Sequence, residues 1–466
     1  MPDIALRILT ALTFLMVALL AGLPFISPLI DWWTDMAVIL GRLNNYAFLV
    51  AMGFLFLALL CIPMLRRDPD TRVFLATSLL VLTYAVGLTQ MKSPPDHYIY
   101  AFGGLLILSG SIAAGVFAHA LAARGVRVPL WISGLTVLSL AALPLPPLLI
   151  ALDPEASDKF WVHVYGYGNV RAFGYSCTAL VAVAAGLMTT PGRARPVLVL
   201  GAVAAVTGWT FLFWSGSRAG LVALVGGLPL MWLLMRRISR AGLAGVLGTA
   251  AAGAALSQVV PRPDDRAFDL VRRLRENMHA LFGTDTSSGT PGAGASLETL
   301  DQVSSSRLQV WQWSWDKIMD APLTGHGFHP MSRLRDEVVN LYHAHNIVLE
   351  YWLSLGLVAG TAALGMGLWL WGRALWSVRS VTDPARVSVA CLISVFAVYA
   401  LVSGPLFHPY QLLVFAMGVG ALLGAARARP MEADDRDAPD SAFVPDATWM
   451  MGPEERDSPL HTEPPR

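Results

Sequence analysis

The stretch Tyr342-His343-Ala344-His345-Asn346 stands where a long polar segment meets an apolar run that continues to Trp371. A run of this length is typical of a helix that spans a membrane. Hydropathy alone favours apolar side chains at the entrance to such a helix, so two histidines and an asparagine are unexpected there. The stretch therefore predicts a membrane-spanning fold and marks the position of a candidate site.

The composition of the whole chain agrees with a membrane-spanning fold. Of its 466 residues, 55% are hydrophobic and 14% are charged, whereas soluble domains carry about 25% charged residues. The apolar runs lack the two-residue alternation of barrel strands, which leaves helices as the structure that spans the lipid. The three cysteines lie inside apolar runs, which predicts buried thiols and no disulfide framework. The predicted class is an all-α polytopic membrane protein.

The apolar runs predict about twelve spans. In chain order they are Ala5–Leu23, Met36–Leu60, Val73–Leu88, Tyr98–Ala122, Val128–Leu149, Arg171–Thr189, Val197–Trp214, Arg218–Met235, Ala241–Val260, His345–Trp371, Val387–Ser403 and Tyr410–Ala426. No small-residue cleavage site follows the first run, which favours an uncleaved span over a signal peptide. The first nine spans thus occupy residues 1–260, and the last three occupy residues 345–429.

The distribution of charge predicts how these spans are oriented. Connections after even-numbered spans are rich in arginine, for example at Arg66 and Arg67, whereas the short opposite connections hold acidic residues and almost no arginine. By the positive-inside rule, the arginine-rich side and both termini are predicted to be cytoplasmic. Residues 430–466 hold ten acidic residues, three arginines and many prolines, so we expect a disordered, acidic cytoplasmic tail.

Residues 261–344 form one large external segment in this topology. Within it, Asp264–Phe282 predicts an amphipathic helix. Its arginines, which suit a helix that rests at a membrane surface, are Arg272, Arg273 and Arg275. Ser306–Asp320 predicts a second helix, and Gly325 and Gly327 predict a turn after it. Glycine, serine and threonine dominate the sequence between the two helices, which we expect to be mobile.

Two arginines on the external side depart from the charge pattern. Arg171 follows Tyr165-Gly166-Tyr167-Gly168-Asn169-Val170 at the mouth of the sixth span, and Arg218 lies in Ser215-Gly216-Ser217-Arg218-Ala219-Gly220 between the seventh and eighth spans. The small residues around Arg218 allow a ligand to approach the backbone closely. The planar fork of arginine donates two parallel hydrogen bonds, so the pair predicts a lipid-diphosphate site. The alternative is that both side chains snorkel to lipid headgroups.

His345 is the candidate base. Histidine titrates near neutrality and can accept a proton from a hydroxyl, and the N-terminus of the tenth span is expected to keep His345 neutral. Asn346 stands beside it and Glu350 one helical turn beyond, whereas His343 is interpreted as a neighbour that caps or shapes the loop. A metal site is the alternative, and its histidines would be His326, His329, His343 and His345. The accompanying cysteine or carboxylate is missing, so we expect no metal and no cofactor.

Five motifs share the predicted external side of the membrane. They are Gly168-Asn169-Val170-Arg171-Ala172-Phe173, Ser215–Gly220, Ser306-Arg307 with Trp311, Pro322–Phe328, and His343-Ala344-His345-Asn346 followed by Gly356 and Gly360. Their order and spacing resemble the O-antigen ligase and polymerase superfamily of bacterial envelope glycosyltransferases. One departure is Ala359, which stands where the family usually has its second glycine, one position before Gly360.

The resemblance implies a GT-C-like glycosyltransferase of the bacterial inner membrane, with an active site that faces the periplasm. The implied donor is a glycan on undecaprenyl diphosphate, and lipid A–core is the first-choice acceptor; no nucleic acid is involved. Arg218 and Arg171 would neutralise the diphosphate, and His345 would activate the acceptor hydroxyl for an inverting, metal-independent transfer. Further substrate-binding candidates are Arg307, His343, Asn346 and Ser217.

Other functions stay open at this point. An O-antigen polymerase or a protein O-oligosaccharyltransferase would share the donor and differ in the acceptor, while a flippase or exporter of lipid-linked sugars would catalyse no transfer. Transporters usually hold charged residues near the middle of the membrane, whereas these arginines and histidines are predicted to cluster at one surface, which favours an enzyme. The glycan, the acceptor, the oligomeric state and the choice between His343 and His345 as the base are left open.

Overall fold

The computed structural model describes residues 2–34, 43–65, 83, 87, 98–152, 164–167, 169–262, 268–282, 307–327, 330, 334, 344–404, 406 and 408–428. The α-helices whose bounds it describes are α1 (Pro2–Thr34), α2 (Leu43–Leu65), α3 (Tyr98–Ala122), α4 (Val128–Leu138), α5 (Leu145–Leu152), α6 (Val170–Thr189), α7 (Arg195–Trp214), α8 (Arg218–Leu234), α9 (Arg240–Ser257), α10 (Leu270–Phe282), α11 (Arg307–Asp320), α12 (Ile347–Ser377), α13 (Pro384–Val402) and α14 (Pro409–Ala425). No β-strand occurs in these described ranges.

The helices confirm the predicted class, an all-α polytopic membrane protein. In the part of the chain that the structure describes, 7 helical stretches are long and apolar enough to cross a membrane, and they belong to α1, α3, α4 with α5, α6, α7, α12 and α13. Shorter apolar helices lie at Tyr46–Leu57, Arg218–Leu234 and Pro409–Ala425. The ninth predicted span coincides with α9. The third, Val73–Leu88, falls almost wholly outside the described residues.

Helix α6 is the centre of the bundle, because every residue in it except Arg171 is buried. The Asn169 side chain caps the helix by accepting a hydrogen bond from the Ala172 N–H at 2.9 Å. α6 packs against α7, α8, α9 and α13, and a methyl group on Gly186 would overlap the backbone of Ser388 in α13. Small residues let membrane helices approach this closely. The packing leaves the N-terminal end of α6, with Arg171, as its least buried part.

The fifth predicted span, Val128–Leu149, differs from the prediction because it is not one continuous helix. α4 ends at Leu138, a 3-10 turn covers Ser139–Ala141, and α5 begins at Leu145. Three prolines lie between positions 144 and 147. Proline has no backbone N–H and clashes with the preceding helical turn, so it explains the break.

The tenth predicted span, His345–Trp371, corresponds to α12 and is also interrupted. Gly356 has φ 78° and ψ 170°, which divides α12 into two helical parts. The residues on both sides of the break need other partners for their backbone hydrogen bonds. Hydropathy could not predict this break, because the apolar run continues through it.

The external segment supplies those partners. The Leu357 N–H donates to the Pro322 carbonyl at 2.7 Å, and the His326 N–H donates to the Leu353 carbonyl at 2.8 Å. Residues 322–327 therefore lie directly against the break in α12. A methyl group on Gly356 would overlap the Leu323 carbonyl, so the close contact requires glycine.

The two helices predicted in the external segment are present as α10 and α11. α10 begins at Leu270 rather than Asp264, after Asp269, whose carboxylate accepts a hydrogen bond from the Arg272 N–H at 3.1 Å. Gly325 and Gly327 have φ 63° and 88°, which forms the predicted turn. Three features of the prediction lie outside the described residues: the mobile linker, His343 and the acidic tail.

Candidate active site

The turn between α7 and α8 brings Arg218 to the N-terminal end of α6. Gly216 adopts φ 66° in this turn, a left-handed conformation that glycine tolerates. A methyl group on Gly174 of α6 would overlap the Ser217 side chain, so this glycine lets the turn touch α6. The Ser217 hydroxyl shares a 2.8 Å hydrogen bond with the Tyr399 hydroxyl of α13. Ser217, a candidate for substrate binding, thus joins the turn to α13.

The three arginines predicted from the sequence come together with a fourth. The charges of Arg171, Arg273 and Arg307 all act on Arg218, and Arg171 and Arg273 also act on Arg307. All four side chains are half-buried. Burial, followed by repulsion from Arg171, lowers the pKa of the Arg307 guanidinium. Like charges repel more strongly away from bulk water, so the cluster suits an anion that offsets this repulsion.

Several helices also direct their N-terminal ends to this cluster. Arg171, Arg218 and Arg307 stand in the first turn of α6, α8 and α11. Asn346 and His408 are the residues that immediately precede α12 and α14. Backbone N–H groups at a helix N-terminus carry partial positive charge and attract anions. The site therefore combines arginine charge with helix dipoles of the same sign.

His345 occupies an unusual backbone conformation beside the arginines. It is 7% exposed and has φ 55°, in the left-handed region that costs a residue with a Cβ atom about 1 kcal/mol. Such a conformation persists where neighbouring contacts determine it. His345 is thus held in place by the structure around it rather than by its own preference.

Contacts on both sides of His345 hold that conformation. The Ala344 N–H donates to the Glu350 carboxylate at 2.9 Å, and the Trp311 indole donates to the Ala344 carbonyl at 3.1 Å. The Asn346 side-chain oxygen Oδ1 accepts hydrogen bonds from the first turn of α12, and its side-chain Nδ2 donates to the Leu401 carbonyl at 3.0 Å. Asn346, another candidate for substrate binding, therefore caps α12 and links it to α13.

The pKa of His345 lies far below that of an ordinary histidine. Burial lowers the pKa first, and the charges of Arg307, Arg171 and His408 lower it further, to about 3. The imidazole is therefore neutral near neutral pH, as the sequence predicted. The sequence predicts the neutral imidazole from its place at a helix N-terminus, whereas burial and the arginine charges are the main causes of the low pKa.

Three residues of the site were not expected from the sequence: Tyr175, Tyr399 and His408. The Tyr175 hydroxyl lies 3.1 Å from the Ser403 hydroxyl, and its ring meets the Tyr399 ring edge to face, with centroids 4.9 Å apart. The His408 ring lies 5.3 Å from the Tyr175 ring. Tyr175 follows Arg171 by four residues, a spacing that places both on one helix face. Tyrosine near the end of a span is usually an interfacial anchor, so this signal was easily overlooked.

Of the four histidines of the alternative metal site, His326 and His345 lie in the described part of the chain. His326 Nε2 lies 2.7 Å from the Lys317 carbonyl oxygen, which connects the turn to α11. His329 and His343 fall outside the described residues. Among the residues that are described, no three of the types His, Cys, Asp and Glu form a group that could hold a metal ion. Independence from metal stays a prediction.

Comparison with known proteins adds to this geometry. A family model described as O-antigen ligase matches residues 203–364, an interval that includes Arg218, Arg307 and His345. A curated relative, the general O-oligosaccharyltransferase of Acinetobacter baylyi, is 28% identical over 156 residues, which cover 31% of this chain and 25% of the relative. The chain thus spans about a quarter of that protein's length. The resemblance predicted from the motifs is confirmed over residues 203–364, where this chain is similar to the O-antigen ligase family.

Proposed function

We propose that this chain is a glycosyltransferase that moves a glycan from a lipid diphosphate to an acceptor hydroxyl. The observation that carries the proposal is a buried, neutral His345 within electrostatic range of Arg171 and Arg307, with Arg218 in the same cluster. A diphosphate requires positive charge and N–H donors, which arginines and helix N-termini supply. A hydroxyl nucleophile requires a base, which a neutral imidazole supplies.

In the proposed reaction, the acceptor oxygen attacks the anomeric carbon of the donor on the face opposite the diphosphate. The bond between that carbon and the diphosphate oxygen breaks as the new C–O bond forms, and its electron pair leaves with the diphosphate. The acceptor proton passes to His345, and the anomeric configuration inverts. Arg171, Arg218 and Arg307 stabilise the charge that develops on the leaving group, an effect worth about 3 kcal/mol for a single well-placed donor.

Donor binding would also change the proton affinity of His345. Without a bound donor, the nearby arginines would contribute to the low pKa of the imidazole, which makes it a weak base. A bound diphosphate offsets those positive charges, so the pKa of His345 rises. The base therefore becomes more effective when the donor is in place.

The finer assignments follow the family resemblance. We propose undecaprenyl diphosphate as the lipid carrier, lipid A–core as the first-choice acceptor, and a site that faces the periplasm of the bacterial inner membrane. The position of Arg171, Arg218, Arg307 and His345 at or just before the first turns of helices supports an enzyme over a flippase, because transporters usually hold their charged residues near the middle of the membrane.

A second candidate is a protein O-oligosaccharyltransferase, which the relative from Acinetobacter baylyi favours. An O-antigen polymerase is the third form of the same chemistry. In all of these the donor site is the same, and the acceptor is a lipid A–core sugar, a protein hydroxyl or the end of a growing polysaccharide. The choice between them is a choice of acceptor.

A reconstituted assay tests the proposal. The purified full chain is incubated with a glycan on undecaprenyl diphosphate and, separately, with lipid A–core, an acceptor protein or a second donor molecule. Transfer to lipid A–core supports the ligase, and transfer to one of the other acceptors supports the corresponding alternative. If no acceptor gains glycan and the intact donor instead moves across a vesicle membrane, the enzyme proposal is overturned in favour of the flippase.

A further inference from the structure

Helix α10 brings one more cation to the site than the sequence predicted. Arg273 Nη1 donates to the Gly216 carbonyl at 3.2 Å, in the same turn that carries Arg218. The charge of Arg273 acts on both Arg218 and Arg307. Arg273 therefore belongs to the arginine cluster, although its position on an amphipathic helix predicted a role at the membrane surface.

The start of α10 is attached firmly to the end of α7. Phe268 is 1% exposed, and its ring packs against the Trp214 ring with centroids 4.7 Å apart. The Asp269 N–H donates to the Trp214 carbonyl at 3.1 Å, and the Asp269 carboxylate forms a 2.7 Å ion pair with Arg262. These contacts determine where Arg273, one turn further along α10, is placed.

The neighbouring arginines of α10 are placed differently. Arg272 lies 3.8 Å from Glu276 on its own helix, and Arg275 is exposed. Arg273, by contrast, donates to the Gly216 carbonyl in the turn. Successive side chains of an α-helix are rotated by about 100° around its axis. Arg272 and Arg273 therefore point in different directions.

We propose that Arg273 is a fourth substrate-binding arginine, which contacts the donor diphosphate together with Arg218. This inference rests on the proposed function. A diphosphate diester gains a negative charge when the bond to the sugar breaks, and Arg273 stands beside Arg218 where a further cation can stabilise that charge. Because α10 belongs to the external segment, the same contact makes that segment part of the donor site rather than a cover beside it.

The inference is tested by a calorimetric measurement of inorganic pyrophosphate binding to the full chain in detergent. This measurement does not depend on glycan transfer. The key variant is Arg273→Gln, because glutamine keeps a polar side chain with an N–H donor and removes the charge. We expect this variant to bind pyrophosphate at least tenfold more weakly, the size of a lost charge-assisted hydrogen bond. Arg275→Gln, an exposed change on the same helix, should bind like the wild type, and unfolding temperatures check that each variant folds.

Two further variants separate the possible results. Arg218→Ala should lose binding as well, and Arg273→Ala should behave like Arg273→Gln. Wild-type binding by Arg273→Gln with loss in Arg273→Ala would assign Arg273 a role in shaping the turn and overturn this inference alone. Unchanged binding in both Arg273 variants, with loss in Arg218→Ala, would also overturn it and leave the diphosphate site intact. If the wild type binds no pyrophosphate, or Arg218→Ala binds it equally well, the diphosphate site itself is wrong.

Discussion

At the scale of single residues, His345 shows how the site is built. Its positive φ and its burial are both unfavourable for a histidine. The hydrogen bonds of the adjacent Ala344 and Asn346 hold His345 in this conformation. A neutral imidazole is thereby held among positive charges. The chemistry of the proposed site depends on this one side chain, whereas the backbone beneath it favours glycine.

Replacing His345 by glycine separates chemistry from folding. His345→Gly relieves the left-handed strain, so we expect the variant to unfold at the same or a slightly higher temperature, by an amount that corresponds to at most about 1 kcal/mol. Transfer should be abolished, while donor binding survives. His345→Ala should lose transfer without the gain in stability, and His343→Ala should show a smaller loss. Normal transfer by His345→Ala, with loss in His343→Ala, would move the base to His343.

Arg218 tests whether the anion site requires a fork or only a charge. Arg218→Lys keeps the charge but loses the two parallel N–H donors, so it should be nearly as inactive as Arg218→Ala. We expect a loss of about 3 kcal/mol of transition-state stabilisation, or roughly a hundredfold in kcat. The measurement is transfer and donor binding in membranes with equal expression. A lysine variant close to wild type would make Arg218 an interfacial anchor.

The pKa of His345 predicts different pH profiles for kcat/KM and kcat. A base is active when deprotonated, and kcat/KM reports the free enzyme. Because the pKa of His345 in the free site is about 3, this residue should cause no fall in kcat/KM as the pH drops from about 8 to about 5. With the donor bound, the offset arginine charges raise the pKa, so the acid limb of kcat should lie at higher pH. Identical acid limbs near the ordinary histidine pKa in both profiles would contradict this.

At the scale of the elements, the break in α12 determines how the external segment meets the membrane helices. Residues 322–327 supply backbone partners to α12 at the break, and Trp311 of α11 bonds the loop that holds His345. The segment, α11 and the first part of α12 therefore together support His345, the proposed base. A rigid support of this kind is what a positioned catalytic group needs.

Gly356→Ala should damage this support. Alanine at φ 78° is strained, and its methyl group would overlap the Leu323 carbonyl, so we expect a loss of about 1–3 kcal/mol of stability together with reduced transfer. Gly365→Ala is the matched control in the same helix, because its methyl group meets no described atom within 4 Å. Thermal unfolding in detergent and transfer assays check both variants. If the two variants have equal stability and equal transfer activity, the break at Gly356 does not contribute to the proposed mechanism.

At the scale of the whole molecule, the alternation of arginine-rich and arginine-poor connections predicts that the site faces away from the cytoplasm. Cysteine labelling in a background without the native cysteines tests this. Gln309→Cys on α11 should react with an impermeant reagent added outside, and Arg195→Cys at the start of α7 should react only after the membrane is opened; both positions are exposed. Labelling of position 309 from the cytoplasmic side alone would invert the topology and exclude the proposed mechanism.

The amino-acid pattern was sufficient for everything that depends on local information. Runs of apolar residues predicted the helices, because a span needs a fixed length of hydrocarbon contact. The short motifs around Arg218, Arg307 and His345 predicted the resemblance to the O-antigen ligase family, and the chemistry of histidine and arginine indicated the side chains that we propose for the site. These features depend on residues that are close together in the sequence, so they can be predicted without knowledge of the fold.

The fold was needed wherever residues far apart in the chain meet. Arg273 cannot be told from Arg272 and Arg275 by spacing, and it joins the site because α10 is attached to the end of α7. Tyr175 and Tyr399 lie in different spans, and the break at Gly356 is stable because a distant segment supplies its hydrogen bonds. Hydropathy measures the preference of a residue for lipid or water, whereas such contacts depend on how whole helices pack, and that is decided only in three dimensions.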